Sequence, residues 1–552
     1  MKKNCKQCGK EFEIFKEDQA FYKKMDVPEP NECPRCRMIQ RFTFRNTRKL
    51  YYRKCDFSGE KIISQFHPDQ PFPVYKPEYW WSDKWDGLDF GQDFDFKRPF
   101  FEQFLELKNK VPHQALFLII GSSANSDFTN CTGYLKNCYL IFQSDYDQEC
   151  LYCDLIKRSR DIVDCTISQD CELSYQCMDC VHCYNLRYSV DCENCSDSYF
   201  LKDCNACKNC IGCMNQRQKE FMIFNKQYTE EEYEKIKKDM MLETNSGIEK
   251  IQKKAEEFYK TQIHKNLKIE KVENSIGDHL YNSKNAFYCF DSSDLEDCRY
   301  CQKLFIVAKD CMDYNSWGSR AELVYQCSSC GDDIYNLKFC NTCTTRVSNT
   351  EYSIECTQSD SLFGCVGLLR KKYCIFNKQY SKEDYEVLKA KIIEHMKKTG
   401  EYGQFFPQSI CPFGYNETLA YDHFPMTKEE ALKQGFTWRE EDSINKYLGP
   451  KVNIPETINE VNEDITKQIL ICDKCGKNYK IIDAELSFYK KMELPVPKNC
   501  PDCRNNLRLS RRNPLILWNR PCAKCGKEMK TSYAPERQEK IYCQSCYLKE
   551  VY

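Results

Sequence analysis

The chain has 552 residues, with 81 lysines and arginines against 82 aspartates and glutamates, a net charge of −1 and 40 cysteines. That length asks for several domains, and the near-zero charge excludes a globally basic nucleic-acid binder, so any such contact must come from a local patch. The longest apolar run, Ala115 to Ile120, is too short to cross a membrane, and Met1-Lys2-Lys3 leads into Asn4-Cys5 with no apolar stretch. The expected location is therefore cytoplasmic, with thiols reduced or metal-bound rather than paired in disulfides.

In chain order, residues 1–54 hold two Cys-x-x-Cys knuckles, Cys5/Cys8 and Cys33/Cys36. Four thiolates so spaced form a closed tetrahedral zinc site, which holds structure and leaves no open position for catalysis. Reduced thiols without metal, or disulfides, are the plain alternative. From Arg35 to Lys54 there are eight basic residues and no acidic one. Arg37, Arg41 and Arg45 are four apart and would form one stripe on a helix, interleaved with Phe42, Phe44, Tyr51 and Tyr52. Such a stripe beside a zinc knuckle can bind phosphates and stack on unpaired bases. The alternative is internal pairing with an acidic aromatic arm at 81–130, which carries Trp80, Trp81, Trp85 and Asp83, Asp86, Asp89, Asp93 and Asp95 in and beside it. That arm is also expected to cap the open end of the first repeat segment. Residues 55–80 retain Cys55 but no further cysteine, and are expected to be a knuckle without metal.

Segment 131–228 is cysteine-rich. Fifteen cysteines lie between Cys131 and Cys213, and all but Cys131 fall at positions divisible by three. Stacked at a fifteen-residue period, one column reads Cys150, Cys165, Cys180, Cys195, Cys210, and another Ile141, Ile156, Cys171, Leu186, Leu201. This predicts a β-solenoid of five triplets per coil. Because the cysteine columns also accept isoleucine, leucine and serine, the thiols read as small packing groups; a thiolate ladder for copper, iron or extra zinc is the competing reading. His182, beside Cys180 and Cys183, is a possible ligand or a corner residue. A helical linker follows at 229–268, then a looser second solenoid at 269–380, and a helix with cap at 381–453. Both solenoids end in Ile-Phe-Asn-Lys-Gln-Tyr, at Ile223–Tyr228 and Ile375–Tyr380, each followed by a Thr or Ser and acidic residues that open a helix. Lone Cys411 reads as structural. Residues 454–470 are acidic and polar and read as a linker.

Segment 471–519 repeats the N-terminal knuckles at a fixed offset of 467: Cys472, Cys475, Cys500 and Cys503, followed by Arg504, Arg508 and Arg512. At the same offset Cys55 falls on Cys522, the first of a third set in 520–552 with Cys525, Cys543 and Cys546. Ser58, Lys76 and Tyr79 occupy the other three places in the N-terminal copy. Three zinc ions are thus expected.

Cys5 to Arg45 resembles the zinc-ribbon or treble-clef modules of uncharacterised bacterial proteins. The Cys522-x-x-Cys525, seventeen residues, Cys543-x-x-Cys546 spacing is similar to a small domain named for that spacing. The whole chain looks like long cysteine-rich proteins of small-genome bacteria. The resemblance implies zinc and a fold, and brings no activity. No glycine-rich phosphate loop, nucleophile elbow or His-Glu-x-x-His helix occurs. The expectation is a mostly β, non-enzymatic scaffold. It would present zinc modules to a nucleic acid or, second, a protein. A metal-storage or redox protein using the thiol ladder is the alternative, and an enzyme with an unrecognised site comes last.

Overall fold

From Asn125 to Phe224 every third residue has a positive φ, and only Gly212 among them is glycine. In this computed structural model, which describes residues 1–440 and 449–551, the triplet is the unit of the first cysteine-rich segment. One residue of each triplet bridges to the next strand, one turns the corner in the left-handed region, and one points inward. The left-handed region costs an L-residue about 1–2 kcal/mol, which favours Asn and Asp at corners because they bond locally. Corner amides also join adjacent rows: Asn185 donates to Asp197 and Asn285 to Asp297, both at 2.8 Å.

The register corrects the fifteen-residue period. Successive parallel strands pair Arg160 with Glu172, Glu172 with Tyr184, Tyr184 with Ser196, and Ser196 with Lys208, twelve residues each time. Four triplets, not five, separate hydrogen-bonded neighbours. Any multiple of three aligns inward residues with inward residues, so fifteen gives tidy columns without naming the neighbour. Backbone bonding decides that. In the second segment the step is 11 at Ile276–Phe287, 13 from Ala308 to Ala321 to Ile334 to Val347, and 12 from Asp360 to Lys372.

Both stacks end in the same hairpin. Phe224-Asn225 and Phe376-Asn377 have positive φ at both positions, the signature of a two-residue type I′ turn. Asn225 and Asn377 then accept the N–H of Met214 (2.9 Å) and Val366 (2.8 Å) in the row before. Helices Glu230–Asp239 and Lys382–Thr399 follow, capped by Thr229 and Ser381 as their sequences predict.

Two compact units result. Unit 1 comprises Met1–Leu116, Leu267–Arg439 and Leu515–Leu517; unit 2 comprises Phe117–Asn266, Glu440–Pro514 and Trp518–Tyr552. Unit 1 therefore joins the N-terminal knuckles to the second stack, and unit 2 joins the C-terminal knuckles to the first. Each stack packs one aromatic side against its knuckle helices: Tyr325 against Phe21 and Tyr22 in unit 1, Tyr175 against Phe488 and Tyr489 in unit 2.

The units are copies of one design. Within unit 1, Val74 pairs in parallel with His113; within unit 2, Ile541 pairs in parallel with His264. Val74 and Ile541 are again 467 apart. Each buried histidine meets the carbonyl five residues before it through Nε2, Lys108 at 3.0 Å and Tyr259 at 2.9 Å.

Two expectations change. Of the expected arm at 81–130, the part up to Leu116 lies in unit 1, where its acidic and aromatic residues cover the last rows of the second stack, while Phe117 onward belongs to unit 2 and begins the first stack. Lys371 pairs with Asp86 (2.5 Å), Lys378 pairs with Asp93 (2.6 Å), and Phe94 and Phe100 pack on Phe376. The stretch 454–470 is not a free linker: Ile458, Val461 and Ile465 are buried in the core of unit 2. Residues 441–448 of the expected 381–453 cap lie outside the described residues.

Candidate metal centres

Each full knuckle set is assembled the same way. A short antiparallel hairpin carries the first Cys-x-x-Cys, as in Lys2–Asn4 with Glu11–Glu13 and Trp518–Pro521 with Glu528–Thr531. A glycine with positive φ (Gly9, Gly476, Gly526) closes the tight turn after it. The second pair opens a helix. Cys33 and Cys500 precede helices Pro34–Thr43 and Pro501–Leu509, whose first-turn proline needs no N–H.

The four sulfurs of Cys5/Cys8/Cys33/Cys36, of Cys472/Cys475/Cys500/Cys503 and of Cys522/Cys525/Cys543/Cys546 each lie within 4.8 Å of one another. Sγ–Sγ separations are 3.9 Å for Cys8–Cys33, 3.7 Å for Cys475–Cys500 and 3.9 Å for Cys525–Cys543. A tetrahedron with Zn–S bonds of about 2.3 Å has edges near 3.8 Å, so the cages have the right size. Backbone N–H groups point at the thiols: Cys33 donates to Cys5 Sγ and Cys500 to Cys472 Sγ (both 3.2 Å), and Cys543 to Cys522 Sγ (3.3 Å). Against the cost of burial, such N–H groups bring the Cys472 thiol down to about 7 and Cys522 to about 6. These sets could hold metal, and zinc suits the donors.

The partial copy keeps the scaffold and fills the cage. Lys76 N–H still donates to Cys55 Sγ (3.4 Å), as Cys543 does to Cys522. Tyr79 stacks on Phe57 at 5.0 Å, Ser58 donates to Glu60 (2.9 Å), and Lys76 pairs with Glu60 (3.5 Å). An aromatic and ionic lock stands where the C-terminal copy has three more thiols.

The arginines are not where a partner could reach them. Arg37, Arg41, Arg504 and Arg508 are among the most deeply buried large side chains. Arg37 and Arg41 lie 2.7 and 3.2 Å from Asp313 in unit 1. Arg504 and Arg508 lie 2.7 and 2.8 Å from Asp164 in unit 2. Arg45 is half-buried and donates to the Ser316 carbonyl (3.4 Å), and Arg512 pairs with Asp179 (2.9 Å). The internal-pairing reading describes them, but their partners are stack aspartates rather than the arm. A stripe facing inward has no solvent side to offer a phosphate. Sequence reading missed Asp164, Asp313 and a second acid. Asp18 meets Arg299 and accepts from Tyr300 (3.1 Å), and Glu485 meets Arg504 (3.0 Å) and accepts from Tyr152 (2.9 Å). Asp18 and Glu485 are themselves 467 apart, a signal that was open to reading.

The stack thiols are occupied as weak donors. Cys150 Sγ reaches the carbonyls of Gln148 (3.1 Å) and Ser159 (3.5 Å), and Cys171 those of Gln169 (3.3 Å) and Cys180 (3.4 Å). Ser144 does the same toward Phe142 (2.6 Å). Among the described residues, no three stack thiols converge as the knuckle thiols do. His182 is exposed at a corner, 3.8 Å from Asp170, and Cys411 donates to the Thr43 carbonyl (3.1 Å). No described helix is long and apolar enough to cross a membrane.

No family model, curated protein or solved structure matches this chain. The likeness to zinc-ribbon and treble-clef modules therefore rests on the residues themselves.

Proposed function

We propose that the protein is a non-enzymatic, cytoplasmic scaffold. In this reading treble-clef or zinc-ribbon modules, three of them loaded with zinc, brace two β-solenoids of about twelve residues per coil. The observation that carries it is the Cys472/Cys475/Cys500/Cys503 cage, with its sulfurs within 4.8 Å of one another and its helix running straight into the buried Arg504 and Arg508. Zinc there would fix the start of the helix whose arginines dock on Asp164. Structural zinc contributes folding free energy of about 10–16 kcal/mol in small modules, enough to decide whether such a docking surface forms. The partner proposed is a nucleic acid ahead of a protein, met through an exposed stack face instead of the arginine stripes.

The test is elemental analysis of anaerobically purified protein, with Cys503→Ser beside it. The reading expects three zinc ions per chain and two in the variant. Additional zinc, or stoichiometric iron or copper, would make the stack thiols the ligands and favour a metal store.

A further inference from the structure

In unit 2, two exposed tyrosines stand on the outside of the first stack. Tyr134 and Tyr146 occupy corners one ladder step apart. Their rings are parallel within 4° with centroids 4.5 Å apart, and they are 46% and 54% exposed. The row before them in the column supplies only Ser122, whose hydroxyl accepts the Tyr134 N–H at 3.0 Å. A serine is too short to cover an aromatic ring. Ile119, whose side chain lies over the neighbouring Gly133, and Ile120 are themselves 49% and 43% exposed. On the other side the column continues as Arg158, held in a two-bond pair by Asp170 (2.8 and 2.9 Å).

The neighbouring bridge column carries positive charge. Lys136, Gln148 and Arg160 follow one another at the twelve-residue step, and Lys136 and Arg160 are exposed. Arg160 has Asp161 at 3.5 Å, while the half-buried Asp145 is offset by the charge of Lys157. A flat aromatic platform with Lys136 two residues along the chain from Tyr134, and Arg160 further down the same bridge column, is the layout that takes a base on the ring and its phosphate on the lysine. Resting on the scaffold reading above, we infer that Tyr134 and Tyr146, with Lys136 and Arg160, form a binding face for single-stranded nucleic acid, with a base stacked against this exposed tyrosine pair. Nothing here reads sequence, so the face is tolerant of which base it takes.

Fluorescence anisotropy with short labelled oligouridine and oligothymidine tests this on the full-length protein, with zinc content measured on every sample. Wild type should bind at least one of the two. Tyr134→Ala with Tyr146→Ala should weaken binding roughly ten- to hundredfold, as loss of base stacking does. Lys136→Gln should reduce the slope of log affinity against log salt by about 0.7, the value for one phosphate contact on a single strand. All these side chains are exposed, so zinc content should not change. A drop in wild-type zinc below three would instead count against the scaffold reading. The inference is overturned if wild type with full zinc binds neither probe up to about 100 µM, the weak end of non-specific binding. It is equally overturned if the tyrosine variant binds as wild type does, or if the face captures a protein segment in place of the oligonucleotides.

Discussion

Arg508 Nη1 lies 2.8 Å from Asp164 Oδ1, across 344 residues of chain, with both side chains wholly shut off from water. Arg504 reaches the same carboxylate, and Arg37 and Arg41 share Asp313 in the other unit. At each docking point one acid thus serves two guanidinium groups, with Glu485 as a second acid beside Arg504 in unit 2. Removing Asp313 would strand two buried cations, and removing Asp164 would strand Arg508 while Arg504 keeps Glu485; either loss is costlier than never having had the pair. Asp164→Ala should therefore destabilise unit 2 by about 3–5 kcal/mol. Asp313→Ala should do the same to unit 1. Urea unfolding followed by tyrosine fluorescence gives the measure. A loss below about 1 kcal/mol, the range of an exposed pair, would show that the arginines are not committed to the docking.

The inward cysteines of the stacks should behave as packing groups that also close a hydrogen bond. Cys153 accepts the Cys165 N–H at 3.4 Å and donates to the Leu151 carbonyl at 3.2 Å. Ser144 fills an equivalent place, accepting from Ile156 (3.1 Å) and donating to Phe142 (2.6 Å). Cys153→Ser keeps both bonds and should cost about 1 kcal/mol at most, with metal content unchanged. A fall in metal content would make the ladder a metal site.

Much of this was legible before any coordinates. The 467-residue offset shows the knuckles as copies, and the cages assemble where the spacing puts them. The helix starts at Thr229 and Ser381 follow from the acidic residues behind them. The coil length was not legible, because a triplet pattern is blind to which multiple of three closes the turn. The fate of the arginines was not legible either. A stripe on one helix face is equally suited to solvent and to a carboxylate, and its partner, Asp164 or Asp313, lies hundreds of residues away. The pairing of N-terminal knuckles with the second stack, and C-terminal knuckles with the first, is a fact of long-range topology that no local pattern carries.

Asp147 introduces a pH dependence. It stands at an inward position of the first stack, buried, with Oδ1 accepting the Ser159 N–H at 2.8 Å and Oδ2 without a hydrogen-bond partner among the described residues. Burial pushes its carboxyl up to about 7, against the Ser159 bond and with a further push from Asp145. The folded state then holds this proton more tightly than the unfolded chain, whose carboxyl titrates near the usual aspartate value. The contribution is therefore fully present at acid pH and is lost as pH rises toward 7. The loss by pH 8 is of order 4 kcal/mol, from about 1.4 kcal/mol for each unit of displacement. Asp147→Asn should remove that decline and be more stable than wild type at pH 8. Urea midpoints compared at pH 5 and pH 8 decide it: parallel pH dependence in both proteins would clear Asp147 of the role.

The lock at Cys55 should be convertible back into a metal site. Strands Tyr51–Lys54 and Lys61–Ser64 pair as Trp518–Pro521 and Glu528–Thr531 do, and the Gly59 N–H returns to the Cys55 carbonyl at 2.8 Å as Gly526 returns to Cys522 at 2.9 Å. The helix that follows is shorter, Pro77–Trp80 against Gln544–Val551, and the cage positions differ in their side chains. Ser58→Cys, Lys76→Cys and Tyr79→Cys together place thiols at the three positions that Cys525, Cys543 and Cys546 hold in the other copy. The triple variant should bind one zinc more than wild type and release it to a chelator, with the tryptophans near Tyr79 reporting the change. Any two of the three substitutions leave an incomplete cage and should hold the extra ion far more weakly. A triple variant with the wild-type zinc count would mean that Phe57 and Lys84, which now pack on Tyr79, have drawn the loop out of ligand range.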